Sequence, residues 1–186
     1  MGTEGLEHAI TATRGVLAGV TKDQLGNDTP CAQWKVSDLV NHIVGGQHFF
    51  ASAVEGAAPD ASETDYSAGD FVATFDAASK HTVAAFSADG VMEKMITLPW
   101  GQMPGAAFMG IAATDTFTHG WDLAKATGQS TDLNPKLAAQ LLEGAKASIP
   151  DQFRGPDGKA PFGPVAEAPA SASAADQLAA FLGRKV

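Results

Sequence analysis

Asp115 and His119 stand four residues apart in a stretch that also carries Phe108, Ile111 and Leu123 at helical spacing, so a helix there puts a carboxylate and an imidazole on its apolar face. An ionised carboxylate turned toward a core is costly unless it meets a partner or a cation. His42 lies three residues after Leu39 and four before Gly46, at the edge of a second apolar stripe. One imidazole from one helix and a carboxylate-x-x-x-histidine pair from another supply three N and O donors, the number a catalytic zinc-type site uses while leaving a position open. The same spacing is also satisfied by Asp115 accepting a hydrogen bond from His119 beside a core His42, and a D-x-x-x-H match on a helix is weakly specific.

Other polar residues have weaker patterns. Asp122, three after His119, can accept from a ligand imidazole or pair on the surface with Lys125. Cys31 follows Pro30 in a turn, and nothing near it in sequence would depress its pKa, which favours a packing role. Trp34 and Trp121 are expected to pack helix ends rather than stack on a cofactor. His8, His48 and His81 lack partner spacing and read as solvated or packed residues.

The elements that must position these groups are helical. Leu6, Ile10, Leu17 and Val20 predict a helix over residues 6–20, and Gly26 to Pro30 interrupts the chain before a second. Ser37 with Asp38 reads as the start of a helix to about residue 55, with Leu39, Ile43, Gly46, Phe50 and Ala53 inward. Residues 56–69 have no apolar period and read as a long exposed loop, of a length that often serves as a lid. Phe71, Phe75, Ala78, Thr82 and Phe86 mark a third helix ending near Asp89-Gly90, and residues 94–101 suit an extended connection or small hairpin. Pro104 opens the fourth helix, which Gly128 stops; Asn134-Pro135 opens a fifth, and Ser173 caps a last one ending at Gly183. Residues 150–170 read as an irregular strap. The fold class is all-α, an up-and-down bundle with trimmings.

The 186 residues fit one domain, 1–186, and a 45% hydrophobic share with 18% charged residues excludes a disordered chain. Twelve Lys and Arg against 21 Asp and Glu leave a net charge of −9, the opposite of what nucleic acid or an anionic lipid surface attracts. Neither partner is expected. A single cysteine allows no internal disulfide and no cysteine-based zinc cluster, so a metal site must be built from His, Asp and Glu. The N-terminal residues lack the basic and apolar regions of a signal peptide, and no run approaches the roughly 18 apolar residues of a membrane span, so a cytoplasmic location is expected.

Four blocks extend the reading. They are Thr29-Pro30-Cys31 with Trp34-Lys35-Val36-Ser37-Asp38-Leu39-Val40-Asn41-His42, then His119-Gly120-Trp121-Asp122 through Gly128, then Pro161-Phe162-Gly163-Pro164-Val165, and finally Ala180-Phe181-Leu182-Gly183-Arg184. In order and spacing they resemble the actinobacterial metal-binding proteins related to the N-terminal domain of mycothiol-dependent maleylpyruvate isomerase, in the DinB/YfiT-like superfamily. The resemblance implies a DinB-like four-helix bundle with a C-terminal strap and helix, holding a divalent metal, commonly zinc or nickel, between its second and fourth helices. By that resemblance the metal ligands are His42, Asp115 and His119. The isomerase has Glu where this chain has Asp115, so the metal must sit closer to the helix or be held through water. It also has a further C-terminal domain for which 186 residues leave no room, so its maleylpyruvate activity is not carried over.

In the superfamily the open metal position is thought to take the sulfur of a low-molecular-weight thiol such as mycothiol or bacillithiol, which the cation makes nucleophilic at neutral pH. The expected function is therefore that of a divalent-metal-binding, thiol-dependent S-transferase or isomerase whose partners are a small-molecule thiol and an electrophilic substrate. The alternative is a non-enzymatic metal- or small-molecule-binding module.

Overall fold

The computed structural model describes residues 2–57, 64–156 and 159–186. It is mostly helical, with α1 at Glu4–Leu17, α2 at Val36–Glu55, α3 at Phe71–Phe86, α4 at Gly105–Ala126, α5 at Pro135–Ser148 and α6 at Ala174–Phe181. Between α3 and α4 a two-stranded antiparallel hairpin pairs β1 (Met95–Leu98) with β2 (Gly101–Pro104), Leu98 facing Gly101. Ile96 and Leu98 point inward and leave Trp100 at the tip, 61% exposed. No helix among the described residues is long and apolar enough to cross a membrane.

Local signals explain most helix ends. Asp70 accepts from the Ala73 amide at 3.0 Å to start α3, Asn134 from Leu137 at 3.2 Å to start α5 ahead of Pro135, and Ser173 from Asp176 at 3.1 Å to start α6. Ser37 is not a cap. Helix α2 begins one residue earlier, at Val36, because the Asp38 carboxylate accepts from the Lys35 amide at 2.8 Å. Helix α1 stops at Leu17 rather than Val20, and Thr21 opens a short 3-10 turn over Lys22–Gln24. The predicted loop at 56–69 is partly structured: Tyr66–Ala68 form a 3-10 turn, Asp65 accepts from Ser67, and Asn41 of α2 bonds both. Residues 58–63 of that loop lie outside the described residues.

Helix α4 packs on α1, α2 and α6, α3 lies against α1 and α2, and α5 lies on α6. Phe50, Phe86, Phe108, Phe117 and Trp121 fill one core region, while Leu17, Leu39, Ile43, Phe75 and Leu123 fill another. Each such side chain, fully buried, contributes roughly 1.5–3 kcal/mol. Ile111 departs from its predicted inward place and is 40% exposed, because the buried face of α4 is centred on Phe108, Ala112, Thr116 and Gly120. Asp115 and Ile111 therefore sit at its margin.

Three contacts fix the register around that margin. Gln47 of α2 donates from Nε2 to Thr116 Oγ1 at 2.8 Å, Thr82 of α3 donates to the Gln47 carbonyl at 2.8 Å, and Thr13 of α1 donates to the Thr116 carbonyl at 2.8 Å. At Gly120 the α1 and α4 backbones come so close that a β-carbon would fall on Thr13 Oγ1.

Candidate metal centre

Helix α2 carries His42 and helix α4 carries Asp115 and His119, and the seam between the two helices brings the three together. Both imidazoles aim Nε2 at one atom, Asp115 Oδ1, at 3.6 Å from His42 and 3.5 Å from His119. These separations are too long for hydrogen bonds. They match the edge of a tetrahedron, about 3.4 Å, whose corners lie about 2.0–2.1 Å from a central cation. The rings of His42 and His119 meet edge to face with centroids 4.5 Å apart. His42 Nε2 is buried and has no hydrogen-bond partner, a condition that native structures rarely tolerate without an ion or water to relieve it. Two imidazole nitrogens and one carboxylate oxygen within 4.8 Å of one another are a donor set that fits a divalent cation.

Asp122 is not a surface carboxylate paired with Lys125. It is fully buried, and its Oδ2 accepts from His119 Nδ1 at 3.0 Å while Arg184 forks onto it, Nη2 to Oδ2 at 3.0 Å and Nε to Oδ1 at 3.3 Å. His119 thus presents one nitrogen to each of two carboxylates. Burial opposes charge on all three groups, yet Asp115 and Asp122 together hold the His119 imidazolium pKa well above the usual histidine range. Conversely, His119 and His42 overcome burial and keep Asp115 well below the carboxylate range, and His119 with Arg184 does the same for Asp122.

Cys31 and Trp34 also belong here, against the sequence expectation of packing roles. Thr29 Oγ1 accepts from the Cys31 amide at 3.1 Å and lies 2.9 Å from the carbonyls of Cys31 and Trp34, pinning the turn that leads into α2. That turn lays the Trp34 ring 4.6 Å from His42 and 5.6 Å from His119, and lets the Cys31 thiol donate to Asp122 Oδ2 at 3.4 Å. Cys31, His119 and Asp122 form a second cluster of donors close enough to share an ion. Its Asp122 oxygens are already engaged, and a cation there would lie beside the Arg184 guanidinium, so His42, Asp115 and His119 are the better cradle.

The remaining candidates lie elsewhere. Trp121 is buried and donates to Asp176 Oδ1 at 2.8 Å, tying α6 to α4. His48 stacks on Tyr66, His81 pairs with Glu55 at 2.7 Å, and His8 is exposed. Arg184 is the contributor that spacing missed. It is 62 residues from Asp122, and its only sequence signal is its place at the end of the Ala180 to Arg184 block.

Residues 6–124 match the family model described as the mycothiol maleylpyruvate isomerase N-terminal domain. Two relatives from Mycobacterium tuberculosis, the uncharacterized protein MT0763 of strain CDC 1551 / Oshkosh and the uncharacterized protein Rv0738 of strain ATCC 25618 / H37Rv, are each 45% identical over 185 residues. Both alignments cover 97% of this chain and 96% of the relative. No solved structure matches the chain.

Proposed function

The chain belongs to the mycothiol maleylpyruvate isomerase N-terminal domain family, and from that membership and the geometry of the seam we propose that it is a DinB-like four-helix bundle, one domain, that binds a divalent cation, zinc or nickel, and activates a low-molecular-weight thiol of the mycothiol type for transfer to a small electrophile or for isomerisation. The observation that carries the reading is the convergence of two imidazole Nε2 atoms on Asp115 Oδ1 at 3.5 and 3.6 Å, with His42 Nε2 buried and partnerless. The spacing suits direct ligation by Asp115, without an intervening water.

His42, Asp115 and His119 would hold the cation, which would supply Lewis acidity and lower the pKa of a bound thiol or water. Around it, Asp122 holds His119 by Nδ1, which leaves Nε2 as the donor and fixes the plane of the ring. Trp34 lies against both imidazoles and covers one side of them with an apolar ring. The acidic chain would work in the cytoplasm on small partners, a thiol and an electrophilic substrate.

The test is elemental analysis of protein purified without a metal-affinity tag, followed by assays of metal-loaded protein with several low-molecular-weight thiols and a panel of electrophiles. Near one equivalent of metal, lost in His42→Ala and in His119→Ala, supports the centre. Absence of metal with melting unchanged by chelator overturns it. Metal without thiol transfer leaves the binding-module reading in place of the enzyme.

A further inference from the structure

Arg184 reaches the site by a built route. Helix α6 ends in a left-handed Gly183, φ 95°, with the Gly183 amide bonded to the Ala180 carbonyl at 3.0 Å and the Arg184 amide to the Ala179 carbonyl at 2.9 Å. This pair of bonds is a Schellman closure, which turns the chain sharply at a set angle. The strap clamps the turn: Gly163 lies so close to Gly183 that a β-carbon on either would meet the other's backbone, Ala166 bonds Ala180, and Arg154 donates to the carbonyls of Gly163 and Phe181. Two of the sequence blocks, Pro161 to Val165 and Ala180 to Arg184, thus meet in space to aim one guanidinium at Asp122.

We propose that Arg184 is a positioning residue of the metal centre, acting through Asp122 to hold His119 with Nε2 turned toward His42 and Asp115, so that the C-terminal turn 182–184 is part of the site. This rests on the metal reading above and deepens it. Asp122 is fully buried, and a buried carboxylate stays in place only when charge and hydrogen bonds meet both oxygens. Arg184 supplies the bond to Oδ1 and one of the bonds to Oδ2. Without it Asp122 Oδ1 loses its donor, the carboxylate is free to rotate, and the His119 ring loses the anchor that selects which nitrogen faces the seam. Arg184 lies beyond residues 6–124, so this support comes from outside the matched segment.

The experiment compares wild type, Arg184→Gln, Arg184→Lys and the neighbouring exposed-site control Lys185→Gln. Zinc affinity is measured by competition with a chromophoric chelator, the tautomer of zinc-loaded His119 is read by nitrogen NMR, and amide exchange of α6 and residues 182–186 is followed with and without zinc. Arg184→Gln should bind zinc about 10–100-fold more weakly and lose the single Nδ1–H signature, with Arg184→Lys recovering part because a point charge replaces one arm of the fork. Lys185→Gln should match wild type, and zinc should slow exchange in α6 and the tail of the wild-type protein. Wild-type affinity and tautomer in Arg184→Gln, or exchange in the tail unmoved by zinc, overturns the proposal. Should Arg184→Gln fail to fold, Arg184→Lys and the wild-type exchange data still decide it. A wild-type protein that binds no zinc or nickel overturns the metal reading itself, and this inference with it, a result distinct from loss of the Arg184 effect alone.

Discussion

His42 Nε2 stops 3.6 Å from Asp115 Oδ1, facing it across the α2–α4 seam without bonding to it. Asp115 is the only anionic member of the three-donor cradle, so Asp115→Asn should lower zinc affinity by at least the 10–100-fold that loss of an outer partner costs. The fold should survive, since the Asp115 side chain is 30% exposed. Chelator competition with a circular-dichroism control checks both; wild-type affinity in Asp115→Asn would remove that carboxylate from the site.

Metal uptake should release a proton. The raised pKa that Asp115 and Asp122 give His119 favours its imidazolium form in the metal-free protein, and a cation can take Nε2 only from the deprotonated ring. Asp115, held low, is already ionised and releases none. Affinity should therefore fall as pH falls, by about tenfold per unit for one proton while His119 remains protonated in the free protein. Calorimetric titration in two buffers of different ionisation enthalpy reads the proton count directly, and identical heats in both would contradict the raised His119.

Gly120→Ala places a methyl group against Thr13 at the closest approach of α1 and α4. Overpacking of this kind costs about 1–3 kcal/mol, and the neighbouring His119 should shift with it. Thr13→Ala alone loses a hydrogen bond to Thr116, about 1 kcal/mol. Because one clash is shared, the double variant should be more stable than the sum of the two single losses predicts. Urea unfolding of the four proteins tests this, and strict additivity would count against the contact.

Asp176 accepts from the Trp121 indole at 2.8 Å and from the start of α6; burial opposes its charge, but Trp121, Thr131 and Ser173 together lower its pKa. A carboxylate lowered by folding stabilises the protein above its unfolded value, near 3.9, and that contribution is lost as pH falls through the lower folded value. Asp176→Asn should cost at most about 1 kcal/mol at pH 7, because solvent screens this partly exposed group, and less as the carboxylate takes up its proton. Denaturant midpoints followed from neutral pH down into acid measure the difference; a gap that does not shrink as pH falls would point to packing instead of charge.

The helices were legible because Phe71, Phe75, Ala78, Thr82 and Phe86 follow a helical period and Asn134 and Ser173 are the side chains that helix starts demand. That His42, Asp115 and His119 would turn toward the interior was legible because an apolar stripe interrupted by polar groups is a local pattern, and the structure brings the three together. Arg184 was not, since its partner is 62 residues away and no periodicity links a Schellman turn to a distant helix. Trp34 and Cys31 depend on the fold of a turn pinned by Thr29, and Ile111 on how far α4 is rotated about its axis. These are tertiary facts, fixed by packing rather than by neighbours along the chain.

The three tryptophans occupy three optical environments. Trp100 is largely exposed beside Phe49, Trp121 is sealed in the core with its indole bonded to Asp176, and Trp34 lies against the two imidazoles. An imidazolium in contact with an indole quenches its emission. With Trp100 and Trp121 replaced by phenylalanine, the fluorescence of the single remaining indole becomes a built-in gauge of the proton and cation occupancy of the seam, readable in real time without any added dye.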